Sequence, residues 1–167
     1  TIEADGTNLT KVTTTENARE YAPAWSPDGS KIAYTRDSGN GYNIFVHDLQ
    51  SGEKTQLTNN EAREDFPHWS PDGSQLVFRS FRDGDAELYL IDSQGSNHQK
   101  LTDNDARDTG GTWSPDGENI AFNSNRSGNM NLYTRSMSEQ QSALELTDNP
   151  ASDASAYWDS LKVENGN

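Results

Sequence analysis

The sequence predicts an all-β fold assembled from repeated four-stranded units, and three observations lead there. The pentapeptide Trp-Ser-Pro-Asp-Gly occurs as Trp25–Gly29, Trp69–Gly73 and Trp113–Gly117 and fades into Trp158-Asp159-Ser160. Those tryptophans sit 44, 44 and 45 residues apart. The apolar residues between them keep the same register in each unit. A fixed period of that length, with one aromatic and one tight turn per unit, is the sequence mark of a β-propeller blade. The expected architecture is a single β-propeller over residues 1–167, with units centred on Trp25, Trp69, Trp113 and Trp158: about three full blades of four antiparallel strands plus one split or partial blade.

Within a unit, an apolar triplet falls seven to nine residues after the tryptophan: Ile32-Ala33-Tyr34, Leu76-Val77-Phe78 and Ile120-Ala121-Phe122. Each triplet reads as a buried strand. A second run follows at plus 19 to 21, Ile44-Phe45-Val46, Leu88-Tyr89-Leu90 and Leu132-Tyr133-Thr134, after Gly-, Asn- and Asp-rich residues suited to a hairpin. The outermost strand ends in Val12-Thr13, Leu57-Thr58, Leu101-Thr102 and Leu146-Thr147, and the tryptophan-bearing stretch completes four strands per unit. By this count an outer strand is expected at Asn8–Thr13 and an inner strand at Ser155–Ser160, with Leu161–Glu164 a candidate for one more. No window sustains a 3.6-residue apolar period, so helices have no place.

Ser-Pro-Asp-Gly reverses the chain: proline pre-sets φ at the second position of a type I turn, aspartate favours the third, and glycine takes the left-handed position that follows. The tryptophan strand therefore folds back on the next strand. An indole is large enough to fill the space between one blade and its neighbour, where its burial stabilises by roughly 2–3 kcal/mol. All four tryptophans are accordingly expected in the core.

Only 30% of residues are hydrophobic and the mean hydropathy is −1.01. In an aperiodic chain that polarity would indicate disorder; here the apolar residues concentrate at strand positions, as thin blades with wet loops require. With 13 Lys+Arg against 27 Asp+Glu, the formal charge is −14. Nucleic acid is excluded as a partner, because binding a polyanion needs a basic stripe to replace its counterions. Membrane insertion is excluded by the lack of an apolar run of about 18 residues. No cysteine is present, which removes disulfide and thiolate chemistry. The opening residues Thr1–Gly6 carry no cationic start or apolar run of a signal peptide, and Ile2–Gly6 aligns on Ile91–Gly95, so the chain opens inside a repeat.

The unit Leu-Thr, Ala-Arg-acid, Pro-x-Trp-Ser-Pro-Asp-Gly, apolar triplet and Gly/Asn hairpin resembles the TolB-type propeller repeat, a relative of WD-type repeats, over nearly the whole chain. Similar blades occur in the periplasmic TolB proteins, in the propellers that gate prolyl oligopeptidase-like peptidases, and in oligogalacturonate lyases. The resemblance implies a periplasmic or secreted protein that binds a protein partner or small ligand through its channel face, without catalysis. The alternative is the regulatory or substrate-gating propeller of a hydrolase or polysaccharide lyase whose catalytic part is elsewhere. Fold alone does not choose between them.

The search for chemistry is mostly negative: no Gly-x-Ser-x-Gly elbow, no His-Glu-x-x-His, no phosphate loop and no zinc-ligand pair occurs. His47, His68 and His98 hold unrelated repeat positions, although His68 directly precedes a tryptophan at the expected channel mouth. One polar position does recur. Five residues before each tryptophan stands an acid, Glu20, Glu64, Asp108 and Asp153, and the first three are preceded by Arg19, Arg63 and Arg107. Propeller geometry carries the four to one face. Their mutual repulsion there is met either by arginines that latch each acid to its own or the adjacent unit, or by a cation. Converging carboxylates suit calcium, the one candidate cofactor, though none is required. Completion of the ring is a second expectation, either as a portion of a longer six- to eight-bladed chain or by association with another copy, because an unpaired outer strand is a liability that proteins cover.

Overall fold

A computed structural model describes residues 1–3, 5–39, 41–138, 142–148 and 151–153. The unit expected around Trp158, with the strands at 155–160 and 161–164, lies outside the described residues. Strands β1 (Arg19–Trp25), β2 (Lys31–Asp37), β3 (Tyr42–Asp48) and β4 (Lys54–Gln56) form the first sheet. Strands β5 (Glu64–Trp69), β6 (Gln75–Ser80), β7 (Glu87–Asp92) and β8 (Gln99–Lys100) form the second. Strands β9 (Asp108–Trp113), β10 (Asn119–Ser124), β11 (Asn131–Ser136) and β12 (Leu144–Glu145) form the third. Each sheet is an antiparallel meander, hence one blade, and no helix occurs among the described residues.

The pentapeptide makes the turn that its residues dictate. Ser26 Oγ donates to Asp28 Oδ1 at 2.6 Å and accepts from the Lys31 amide at 2.9 Å, while Gly29, at φ 71°, donates its amide to Ser26 O at 2.9 Å. The same bonds recur at Ser70 and Ser114, with Gly73 and Gly117 at φ 71° and 74°. The Asp28 carboxyl is held down to about 2 by hydrogen bonds from Ser26 and Ser30. Leu-Thr has a matching local role. The leucine amide donates to the carbonyl of a residue near the start of the third strand, Ile44, Leu88 or Leu132, and the threonine hydroxyl accepts from that residue's amide. The hydroxyl bonds are Thr58 to Ile44, Thr102 to Leu88 and Thr147 to Leu132, each 2.9 Å.

The blades pack face to face, and the apolar core lies between them. At the first junction Ala33, Ile44, Val46 and Leu57 of blade 1 meet Trp69, Leu76, Phe78, Tyr89 and Ile91 of blade 2. At the second, Val77, Leu88, Leu90 and Leu101 meet Trp113, Ile120, Phe122 and Tyr133 at the same register positions one unit on. Trp69 and Trp113 are buried, and Trp69 Nε1 donates to Ala24 O across the junction at 3.1 Å.

Two expectations require correction. Trp25 is 52% exposed rather than core, because an indole on this face is buried only by the blade before it, and no described blade precedes blade 1. Asn8–Thr13 is not a strand. Outer strands β4, β8 and β12 hydrogen-bond to the third strand of their own blade, and residues 8–13 have no such neighbour among the described residues. Trp69→Ala is expected to cost about 3–5 kcal/mol through the cavity it opens between two sheets. Urea unfolding checks this, and a loss under about 1 kcal/mol would show that the junction is not the core.

Candidate binding site at the inner strands

The recurrent acids open the inner strands. Glu64 and Asp108 are the first residues of β5 and β9, Glu20 is the second of β1, and Glu64 and Asp108 are fully buried. Each is neutralised by an arginine from the segment at the end of the second strand of its own blade. Glu20 Oε1 accepts from Arg36 Nε at 3.0 Å and from Thr15 Oγ1 at 2.9 Å. Glu64 Oε1 accepts from Arg82 Nη2 and from Ser80 Oγ, the latter at 3.1 Å. Asp108 Oδ2 accepts from Arg126 Nη2 and Asn104 Nδ2, both at 2.8 Å. Burial pushes the Glu20 carboxyl up, but hydrogen bonds from Thr13, Thr15 and Arg36 outweigh it and hold the pKa below the ordinary glutamate value.

The arginines are positioned by aromatic rings. Tyr34–Phe45, Phe78–Tyr89 and Phe122–Tyr133 pair across the second and third strands with centroids 5.9, 6.0 and 5.9 Å apart. Arg36 lies 4.0 Å above Phe45, Arg82 4.3 Å above Tyr89 and Arg126 4.7 Å above Tyr133. A guanidinium over a ring face is attracted by the ring quadrupole, so each blade holds its cation before the acid meets it. A periodic signal for this existed: Arg82 and Arg126 are 44 residues apart, in Arg-Asp-Gly and Arg-Ser-Gly hairpins.

Arg19, Arg63 and Arg107 are therefore not the partners of the acids they precede. Successive side chains of an extended chain point to opposite sides, so a residue directly before an acid faces away from it. Arg63 bonds Asp65 Oδ2 at 2.5 Å instead and covers the Tyr42 ring at 5.0 Å. Arg19 and Arg107 are exposed and form no ion pair among the described residues. Asp153 donates its amide to Met130 O at 2.7 Å and accepts from Thr147 Oγ1 at 2.5 Å. Its amide bond repeats that of Asp108 to Ala86 O. His68 is exposed on β5, opposite Val77. These residues do not fit a calcium ion. Three of the four carboxylates already carry an arginine, and no group of three or more His, Asp or Glu side chains that could hold a metal converges among the described residues.

The inner strands share a second feature. Pairing with the second strand shifts register at Tyr21/Ala24, Asp65/His68 and opposite Ala121/Asn123. At each shift one residue takes positive φ: Ala22 at 51°, Phe66 at 55° and Gly110 at 69°. Such β-bulges re-aim side chains next to functional sites. Glycine adopts this conformation freely, whereas phenylalanine is strained there by about 1–2 kcal/mol. Phe66 is nonetheless 41% exposed. It packs edge-on against Tyr21 at 6.3 Å, and Tyr21 packs edge-on against Tyr42. Arg79 lies 4.8 Å from the Phe66 centroid and grips Asp65 bidentately at 2.8 Å on both arms. The blade 1–blade 2 junction thus presents aromatic rings and Arg63 on a rigid, charge-paired base. Nothing in the 44-residue period marks Phe66, since its counterparts are alanine and glycine.

One buried acid is out of balance. Glu87 accepts from the Asn104 amide at 2.7 Å and from the Thr102 hydroxyl, at the position that Asn43 and Asn131 fill in blades 1 and 3. Burial raises its pKa above the ordinary glutamate value, and the Asp108 charge adds to the rise.

Fold and site together define a set of β-propeller blades with neutralised acids and one bulged aromatic on the inner strands. The TolB beta propeller domain family matches residues 1–160, and the chain belongs to that family. It is 38% identical over 61 residues to the TolB homolog of Protochlamydia amoebophila, an alignment covering 34% of this chain and 13% of that one. It is 54% identical over 33 residues to the Tol-Pal system protein TolB of Histophilus somni, covering 20% of this chain and 8% of that one. TolB from Acinetobacter baumannii superposes with a TM-score of 0.77 at 27% identity, over 88% of this chain and 36% of that one. An oligogalacturonate lyase in complex with manganese superposes with a TM-score of 0.70 at 19% identity, over 90% of this chain and 47% of that one, and shares the fold alone. The chain thus spans well under two thirds of the length of these proteins.

Arg82→Ala leaves Glu64 buried and uncompensated and is expected to cost about 3–5 kcal/mol, most of it regained in Arg82→Ala/Glu64→Gln. A urea double-mutant cycle checks this, and additive losses would contradict it. For Glu87 the raised pKa means stability that is full below the ordinary carboxylate pKa and is lost as pH rises through the folded value. Glu87→Gln should therefore be more stable than the parent at pH 7, with a flatter stability profile from about pH 4 upward. A less stable Gln variant at pH 7 would refute the assignment.

Proposed function

We propose that this propeller is a non-enzymatic binding platform that takes a protein partner at its inner-strand face, and that the partner belongs to a Tol-Pal system. The observation that carries the reading is Phe66: a strained, exposed aromatic on a rigid bulge, beside Tyr21, Tyr42 and Arg63. Aromatic and arginine side chains on a preorganised base are the composition of a binding hot spot, and strain at an exposed position is retained where contact depends on it. The Tol-Pal relatives support the choice of partner, and the compartment proposed is the periplasm. No nucleophile with a positioned base occurs among the motifs of the chain.

Calorimetric titration of the chain with the Pal component of a Tol-Pal system tests the reading. Saturable binding is expected, weakened about tenfold or more by Phe66→Ala and by Arg63→Ala. Absent binding, or binding indifferent to both substitutions, would overturn it. The gating reading is separated by assaying the purified chain on peptide, ester and oligogalacturonate substrates, where no turnover is expected.

A further inference from the structure

Positive charge is scarce in this chain, 13 Lys+Arg against 27 Asp+Glu, yet three cations meet around one cavity. Lys100, Arg126 and Arg135 line a space of about 370 Å³ between the end of blade 2 and blade 3, and Asp103 is the one acid lining it among the described residues. That volume suits a small molecule. Leu101 and Ala143 give the cavity an apolar wall, and Ser142 adds a hydroxyl. It shares no residue with the Phe66 patch.

Two of the three cations depart from the repeat. Arg135 pairs with Ile120, where His47 pairs with Ile32 and Ile91 with Leu76. Ile91 is fully buried, so an aliphatic residue satisfies the blade at that position. Lys100 pairs with Tyr89, where Gln56 pairs with Phe45 and Glu145 with Tyr133. The blade fold asks for neither charge.

The charges are also unevenly matched. Arg126 is committed to Asp108 at 2.8 Å, and Lys100 to Asp103 at 2.5 Å and Asp83 at 2.9 Å. Arg135 is the lining cation with no acidic partner among the described residues. Its Nη1 donates to Leu101 O, which uses one of five donors and fixes the guanidinium at the cavity. The remaining planar fork matches a carboxylate, and a group held in place beforehand loses little freedom on binding. One unmatched cation calls for one negative charge, and the nearby Asp83 and Asp103 oppose a second.

We infer that this cavity binds a small organic monocarboxylate, with the carboxylate on Arg135 and the body of the ligand against Leu101 and Ala143.

Nuclear magnetic resonance of the 15N-labelled 167-residue chain tests this, with hexanoate as the probe. Saturable shifts are expected at the Arg135 Nε–H and at the Leu101 and Ala143 amides. Hexanol, the same body without the charge, and inorganic phosphate, a dianion at neutral pH, should each bind more weakly. Arg135→Gln is expected to weaken hexanoate binding about tenfold or more, since a hydrogen bond to a charged group is lost. Ser142→Glu, at an exposed position, should do the same by setting a resident carboxylate beside Arg135, and it decides the matter if circular dichroism shows Arg135→Gln unfolded. Phe66→Ala should leave hexanoate binding unchanged. Shifts that never saturate would overturn the inference, as would hexanol or phosphate binding at least as tightly as hexanoate. Hexanoate binding undiminished in a folded Ser142→Glu variant would overturn it equally.

Discussion

Everything in this structure depends on the burial of one sheet face against the next. A blade of four short strands has two faces and too few residues to cover either by itself, so its apolar side chains leave water only when a neighbouring blade arrives. Trp69 and Trp113 show the interaction closed, each indole buried in a cluster that includes four aliphatic residues of the preceding blade. Trp25 shows it open: the same residue type in the same turn is half-exposed where no described blade covers it. At about 25 cal/mol per Å² of apolar area, the cover provided by a neighbour decides whether such a ring is core or surface.

The charge organisation follows from that packing. Face-to-face blades bring the starts of their inner strands close together, and those starts carry acids in a chain of net charge −14. Each blade settles its own acid with its own arginine, held over its own aromatic pair, so no blade relies on a neighbour for neutralisation. Contacts between blades at this end are of another kind. They include Phe66 N to Thr35 Oγ1 at 3.3 Å and Arg79 Nη1 to Thr109 Oγ1 at 3.1 Å. A rigid rim with internally paired charges leaves the bulged Phe66 free to serve as contact surface.

The three described blades were legible in the sequence, because period and turn chemistry are local. Ser-Pro-Asp-Gly, the apolar triplets and Leu-Thr all took the roles their residue types dictate. The acids were legible as a repeat, and so was an arginine of the same or the adjacent unit as the partner of each, but which arginine was not. Nearness along the chain is a poor guide in a strand, where a residue and its successor face opposite ways. Arg82 and Arg126 were periodic and recoverable. Phe66 was not, since positive φ arises from a bulge that pairing imposes and that no residue type at that position announces. The exposure of Trp25 was equally hidden, being a property of what lies next to the blade.

The account makes stability a property of junctions rather than of blades. Blade 2 synthesised alone, residues 61–104, measures this most directly by circular dichroism and amide proton spectra. The account predicts an unfolded peptide, while the whole chain unfolds in one cooperative transition. A single blade with dispersed, slowly exchanging amides would contradict it, because the sheet would then be stable without either neighbour.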